Sequence, residues 1–164
     1  NILFSLNIFS LFKEVTNKQL KIIQKFSPPV HRLERIGKKR EIINDSKSTS
    51  PQATEVAIKS FKKNIVLIMG GKDKKLDYTS LLDPIRKKVG LLILFGENKF
   101  ELAKVFDKNK IYLAPNLYEA VRKGLKESNK KGPLLFSPGT SSFDQFNSYS
   151  QRGEVFKKYV KELS

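Results

Sequence analysis

The sequence predicts an α/β fold: a doubly wound, mostly parallel sheet with helices on both faces, preceded by two helices. Two observations carry that prediction. Continuous apolar runs at 65–69, 91–95 and 134–136 have the length and character of strands buried on both faces, as parallel sheets require. Each run stops at Gly70-Gly71, Gly96 or Ser137-Pro138-Gly139 and gives way to apolar residues at helical spacing, the alternation that joins parallel strands through crossover helices in a Rossmann-like layer structure.

The elements follow in order. The apolar opening from Ile2 to Phe12 is too short to cross a bilayer and has neither a basic leader nor a small-residue cleavage site, so it predicts a buried helix. Thr16-Asn17 punctuate the chain, and Leu20, Ile23 and Phe26 recur at helical spacing until Pro28-Pro29. Strand patterns at 33–36 and 41–44 flank Gly37-Lys38-Lys39, which predicts a hairpin. Ser50-Pro51 supply an N-cap and a first-turn proline for a helix carrying Ala53, Val56, Ala57, Ile58 and Phe61.

After the run 65–69 a helix is expected through Leu81, Leu82 and Ile85, and after 91–95 another through Leu102, Val105 and Phe106. A short strand at 111–114 leads through Pro115 to a helix with Ala120, Val121 and Leu125. Beyond 134–136 the terminal helix is expected to hold Phe143, Phe146, Phe156, Val160 and Leu163, with Gly153 inside it marking close packing or a bend. This organisation assigns 1–27 to the helical tail of a preceding domain, 28–32 to a linker or hinge, and 33–164 to a C-terminal domain. The start at Asn1 without an initiator Met fits a part of a longer polypeptide.

Composition narrows the chemistry. With no Cys, disulfide frameworks, thiolate metal sites and cysteine nucleophiles are excluded from this segment, and the single His31 excludes sites built from several imidazoles. A reducing cytoplasm fits the missing Cys. The formal charge of +16 invites a nucleic-acid reading, but 26 of the 32 basic residues are Lys scattered along every segment. Arg is the residue that grips phosphate bidentately, so a Lys-dominated excess reads as solubility; neither nucleic acid nor membrane is the expected partner.

In open α/β sheets ligands sit outside the carboxyl ends of the strands. Three strand-to-helix loops there are chemically unusual: 44–49 (Asn-Asp-Ser-Lys-Ser-Thr), 70–74 (Gly-Gly-Lys-Asp-Lys) and 137–144 (Ser-Pro-Gly-Thr-Ser-Ser-Phe-Asp). Parallel strands would put all three on one edge, where lysines, hydroxyls and backbone N–H groups suit a carboxylate or a phosphate. Simpler roles exist for each. Asp45 and Thr49 could only cap the following helix, Gly70-Gly71 could be only a turn, and Phe143, Phe146 and Tyr149, three apart, could be core. The P-loop spacing is absent.

The runs Ser137-Pro138, Ser142-Phe143-Asp144-Gln145-Phe146 and Gln151-Arg152-Gly153-Glu154-Val155-Phe156 resemble the C-terminal signature of the Mur ligases, in the branch that adds D-glutamate. His31-Arg32-Leu33-Glu34 with the loop 43–49 resembles the junction between that family's central ATPase domain and its C-terminal domain, and Gly70-Gly71 with Lys74, Asp77 and Tyr78 is similar to its glycine-lysine loop.

The resemblance implies ATP-dependent ligation of D-glutamate to UDP-N-acetylmuramoyl-L-alanine through an acyl phosphate, in cytoplasmic peptidoglycan synthesis, with ATP and Mg²⁺ as cofactors. It assigns Asn1 and Arg32 to the adenine, Asp45 to the ribose, and Lys47, the catalytic candidate, to the phosphates. It assigns Thr49, Lys74, Ser142, Phe143 and Tyr149 to the D-glutamate pocket. Metal ligands, a P-loop and a uridine-nucleotide domain would come from the remainder of the same polypeptide, so the segment alone is expected to be inactive. The departures are Lys72-Asp73 before the pocket lysine, Gly139-Thr140, and Tyr149 in place of a phenylalanine. Another Mur or folylpolyglutamate ligase, a non-enzymatic ligand-binding module and a basic nucleic-acid-binding domain are the alternatives.

Overall fold

A computed structural model describes residues 2–24, 29–37, 40–62, 64–106 and 110–164. Six strands form one sheet in the order β1-β2-β6-β3-β4-β5: β1 (Glu34–Arg35), β2 (Ile42–Asn44), β3 (Ile65–Gly70), β4 (Val89–Phe95), β5 (Ile111–Leu113) and β6 (Leu134–Phe136). Only β1 is antiparallel, paired with β2 through Glu34 opposite Asn44, which is the expected hairpin. β2 pairs with β6, β6 with β3, β3 with β4 and β4 with β5, all parallel, so the expected mostly parallel sheet is present.

Side chains alternate across the sheet and give each face its own core. Val66, Ile68, Ile93, Phe95, Leu134 and Phe136 meet α6 (Leu117–Lys131) through Ala120 and Val121, and α7 (Tyr149–Leu163) through Phe156. Ile65, Leu67, Met69, Leu92, Leu94 and Leu135 meet the other layer: Ile58 of α3 (Pro51–Lys59), Ile85 of α4 (Leu82–Lys88) and Leu102 of α5 (Lys99–Val105). Helices therefore cover both faces.

The helix starts follow their sequence signals. Ser50 caps α3 by accepting from the Ala53 N–H, with Pro51 at the first position; Asn116 caps α6 and Ser148 caps α7 in the same way. Asp45 and Thr49 therefore do not cap α3.

Two helices precede the sheet, α1 (Ile2–Ser10) and α2 (Asn17–Gln24). Thr16 and Gln19 form a reciprocal capping box at the start of α2, with the Thr16 N–H donating to Gln19 Oε1 at 2.9 Å. Ile8 and Phe9 of α1, with Leu11 and Phe12 just after it, are exposed among the described residues, as a helical tail with nothing local to bury its face would be.

A correction concerns the C-terminal aromatic residues. Phe143 and Phe146 lie outside the terminal helix, in a twelve-residue connection before α7; the Ser142 carbonyl accepts from the Gln145 and Phe146 N–H groups in a single turn that goes no further. Hydrogen bonds to other loops hold this segment, and Ser148 restarts the helix.

Candidate functional site

Since β2, β6, β3 and β4 are parallel neighbours, the loops that follow them share one edge of the sheet. They are also bonded to one another. The Gly139 N–H donates to the Ser48 carbonyl at 3.0 Å, and the Lys72 N–H to the Ser141 carbonyl at 3.0 Å. Thr140 Oγ1 donates to the Lys72 carbonyl at 2.7 Å. The loop after β4 joins through Asn98, whose Oδ1 accepts from the Gly71 N–H at 3.0 Å, and through the Glu97 N–H, which donates to Asp144 Oδ2 at 3.2 Å. Gly71, at φ 153°, is required here: a Cβ would come within 2.5 Å of the Ser141 carbonyl oxygen and 3.1 Å of Arg152 Nη1.

Arg152 is the centre of this assembly, fully buried on the first turns of α7. It donates from Nε to Ser46 Oγ at 3.1 Å, from Nη2 to the Ser46 carbonyl at 2.9 Å, and from Nη1 to the Thr140 carbonyl at 3.1 Å. Burial lowers its pKa to about 10, opposed by the charge of Asp144, and the guanidinium remains a cation at neutral pH. One cation thus fastens the loops after β2 and β6 to α7.

Asp45 braces the same edge from below. Its Oδ1 accepts from the Leu33 N–H at 3.1 Å, and its Oδ2 from Ser48 Oγ at 2.5 Å and Ser137 Oγ at 2.8 Å. Burial pushes its carboxyl above the usual range, while these donors and the nearby Arg32 charge pull it back. A carboxylate has about four acceptor positions, so three are already used by the fold.

Lys47 and Tyr149 are brought together, with the ammonium 5.7 Å from the ring centroid, a cation–π separation. Ser46 Oγ donates to the Tyr149 carbonyl at 2.7 Å, which ties the first turn of α7 to the loop carrying Lys47. Thr49, Lys74 and Arg32 are exposed on the loops after β2 and β3 and on the approach to β1, and Phe143 is two-thirds exposed at 68%. Ser142 is buried at the turn in the connection after β6. Asn1 lies outside the described residues. Thus Lys47 and Tyr149 meet directly, and Thr49, Lys74, Ser142 and Phe143 share their rim on mutually bonded loops; no hydrogen bond among the described residues joins Lys74 or Phe143 to the others.

Several residues that build the site escaped assignment from sequence: His31, Asn44, Asn98 and Arg152. Tyr78 is another, buried with its hydroxyl accepting from Asn98 Nδ2 at 3.1 Å. The signal available for Arg152 was its place among apolar residues of an amphipathic helix, where an arginine must find several acceptors. Among the described residues Ser141 Oγ and Asp144 Oδ1 are buried without a hydrogen-bond partner, beside the rim.

The donor set suits anions. Lys47 is half-buried, and among the described residues its ammonium faces only the Tyr149 ring, which leaves its three donors for phosphate or carboxylate oxygens. Among the described residues no group of three or more His, Asp or Glu is arranged to hold a metal ion. No helix among them is long and apolar enough to cross a membrane.

Comparisons with known proteins agree with this geometry. Residues 31–139 match the family described as Mur ligase, glutamate ligase domain. The chain is 38% identical to the UDP-N-acetylmuramoylalanine--D-glutamate ligase of Lactobacillus delbrueckii subsp. bulgaricus, over 99% of this chain and 36% of that protein. It is 35% identical to the enzyme of the same name from Chlamydia felis, over 94% of this chain and 39% of that one. The chain thus spans little more than a third of the curated relatives it matches. In fold it is similar to the MurF ligase of Thermotoga maritima solved in complex with ADP, at TM-score 0.65 and 18% identity over 96% of this chain and 36% of that one. It is also similar to a Mycobacterium tuberculosis folylpolyglutamate synthase, at TM-score 0.63 and 11% identity over 89% of this chain and 36% of that one. With its parallel sheet, its bonded loop edge and this match across two-thirds of its length, the chain belongs to the Mur ligase family, through that family's glutamate ligase domain.

Proposed function

We propose that the chain is the C-terminal domain of an ATP-dependent D-glutamate ligase, which joins D-glutamate to UDP-N-acetylmuramoyl-L-alanine in peptidoglycan synthesis in the cytoplasm. The observation that carries this reading is the 38% identity to enzymes of that name along 99% of the chain. The edge supports it chemically. D-glutamate brings two carboxylates, and Lys74, Thr49 and Ser142 offer a charge and two hydroxyls on loops held in fixed register. Phe143 and Tyr149 give the pocket apolar walls.

ATP is the second substrate in this reading. Lys47 fits its phosphates, and Arg32 and Asn1 its adenine. Asp45 retains one acceptor position on Oδ1 for a ribose hydroxyl, its other positions being taken by Leu33, Ser48 and Ser137. Activation of the acceptor carboxylate as an acyl phosphate needs stabilisation of developing negative charge, which a preorganised ammonium supplies. Mg²⁺ ligands are assigned to the rest of the polypeptide. The exposed apolar side chains of α1 and the following turn are the contact with that remainder, residues 1–27 being the tail of the central domain.

The test is an amino-acid screen on the full-length protein with ATP and the nucleotide acceptor, reading phosphate release. Turnover that depends on D-glutamate is expected. Turnover with a different amino acid and none with D-glutamate would assign the protein to another branch of the family.

A further inference from the structure

His31 is the residue whose environment the functional reading leaves unexplained. It stands at the entrance to the domain with φ 63°, yet the residue is only 1% exposed. Its main chain is fixed at both ends: the N–H donates to Glu34 Oε2 at 3.0 Å, and the carbonyl accepts from the Lys47 N–H at 3.0 Å. The ring fills the space left by the missing side chain of Gly153, where a Cβ would collide with Nδ1. Its edge meets Tyr149 at 6.5 Å between centroids and 78° between planes. Among these contacts, Lys47, held through its main-chain N–H, and Tyr149, met by the ring edge, are the pair that face each other at the site.

Asn44 fixes the protonation of the ring. Asn44 Oδ1 accepts from the Ser46 N–H at 3.2 Å, so its Nδ2 is turned to three acceptors: Glu34 Oε2 at 3.0 Å, the Gly153 carbonyl at 3.5 Å and His31 Nδ1 at 2.9 Å. Nδ1 faces this donor at hydrogen-bond distance, with Glu34 Oε2 farther off at 3.6 Å, so the geometry favours Nδ1 as acceptor and the proton on Nε2, 3.3 Å from Ser150 Oγ and 3.4 Å from Glu154 Oε1. The carboxylates nearest the ring are Glu34 of β1 and Glu154 of α7, and both are engaged by Lys157 of α7, at 3.3 and 2.7 Å. They do not need a histidinium. Burial lowers the His31 pKa, and Lys157 works in the same direction against the two carboxylates.

We propose that His31, neutral and carrying its proton on Nε2, is a positioning residue that sets Lys47 against Tyr149 and so aligns the phosphate and amino-acid halves of the site. The proposal rests on the functional reading above. A second proton, on Nδ1, would point at the Asn44 amide hydrogens, and relief would require Asn44 to turn away from the Ser46 N–H. That loosens the loop carrying Lys47. Acid should therefore weaken catalysis through this contact before it unfolds the domain.

The experiment uses the full-length enzyme with ATP, D-glutamate and the nucleotide acceptor, comparing wild type with His31→Ala and His31→Gln. His31→Ala is expected to lower kcat/KM for D-glutamate by about 100-fold, the effect of misplacing a site by about 1 Å. His31→Gln, whose amide can accept from Asn44 and donate to Ser150, is expected to recover about tenfold of it on the same scale and to lack the acid limb of the wild-type pH profile. Imidazole ¹⁵N spectra, assigned by difference from His31→Gln, should report the Nε2–H tautomer at neutral pH. An Nδ1–H tautomer or a cation there would overturn the proposal. So would His31→Ala kinetics within twofold of wild type, or equal losses in both variants that follow Tm alone. Wild-type enzyme without D-glutamate-dependent turnover would instead overturn the functional reading.

Discussion

Arg152 holds Ser46 by two hydrogen bonds, one to the hydroxyl at 3.1 Å and one to the carbonyl at 2.9 Å, and so joins α7 to the loop after β2 across the end of β6. A buried guanidinium is costly unless its donors are used, and here the carbonyl of Thr140 takes a third. The arrangement makes the geometry of the edge depend on one side chain that no ligand need touch.

Arg152→Ala leaves those neutral acceptors buried and unsatisfied and opens a void, so it should destabilise the protein by roughly 3 kcal/mol, at ~1–3 kcal/mol for each stranded acceptor. Arg152→Lys lacks the planar fork and should recover only part of it. Denaturant unfolding measures both; a loss below ~1 kcal/mol for Arg152→Ala would mean that the loops hold their register without it.

Gly153 separates two opposed effects. Replacing a helical glycine by alanine gains about 1 kcal/mol of helix propensity. At this position the new methyl group meets the buried ring of His31, and overpacking costs about 1–3 kcal/mol. Gly153→Ala should therefore lower Tm and weaken D-glutamate use together. A raised Tm would show that the ring yields.

The pH dependence of Asp45 has a definite sign. Burial raises its folded pKa above the ordinary 3.8, so its contribution to stability is fully present below that value and is lost as pH rises through the folded pKa. The stability difference between wild type and Asp45→Asn should accordingly shift against wild type from about pH 4 upward, by up to ~1.4 kcal/mol per pH unit, and then level off. Unfolding free energies across that range test it. A difference that moves in favour of wild type would mean that the Ser48, Ser137 and Leu33 donors outweigh burial.

How much was legible in the sequence follows from how local each signal was. The runs 65–69, 91–95 and 134–136 are apolar throughout because strands buried on both faces have no polar side, and that pattern survives without tertiary knowledge. Parallel strands then put the loops carrying Lys47, Lys74 and Ser142 on one edge by topology alone. The spacing of Phe143, Phe146 and Tyr149 misled because three residues apart also describes one isolated turn followed by a loop, and the bonds that hold that loop come from Lys72, Ser48 and Glu97, far away in sequence. His31 reads as a lone histidine near a proline pair; only the fold brings Asn44, Tyr149 and Gly153 around it. Within the linker expected at 28–32, His31 is anchored by main-chain hydrogen bonds to the Glu34 side chain and to the Lys47 N–H.

On the reading that this edge is the D-glutamate half of a ligase site, Lys74 is an exposed charge for which no ion pair or side-chain hydrogen bond is formed among the described residues. Steady-state kinetics of the full-length enzyme with Lys74→Ala test it directly. Removing a charge-assisted contact to a substrate carboxylate, worth about 1.5–3 kcal/mol, should raise the KM for D-glutamate on the order of 10- to 100-fold. The KM for ATP should stay within about twofold, a margin well below one such contact. An unchanged KM for D-glutamate, or a loss that falls equally on ATP, would contradict the assignment.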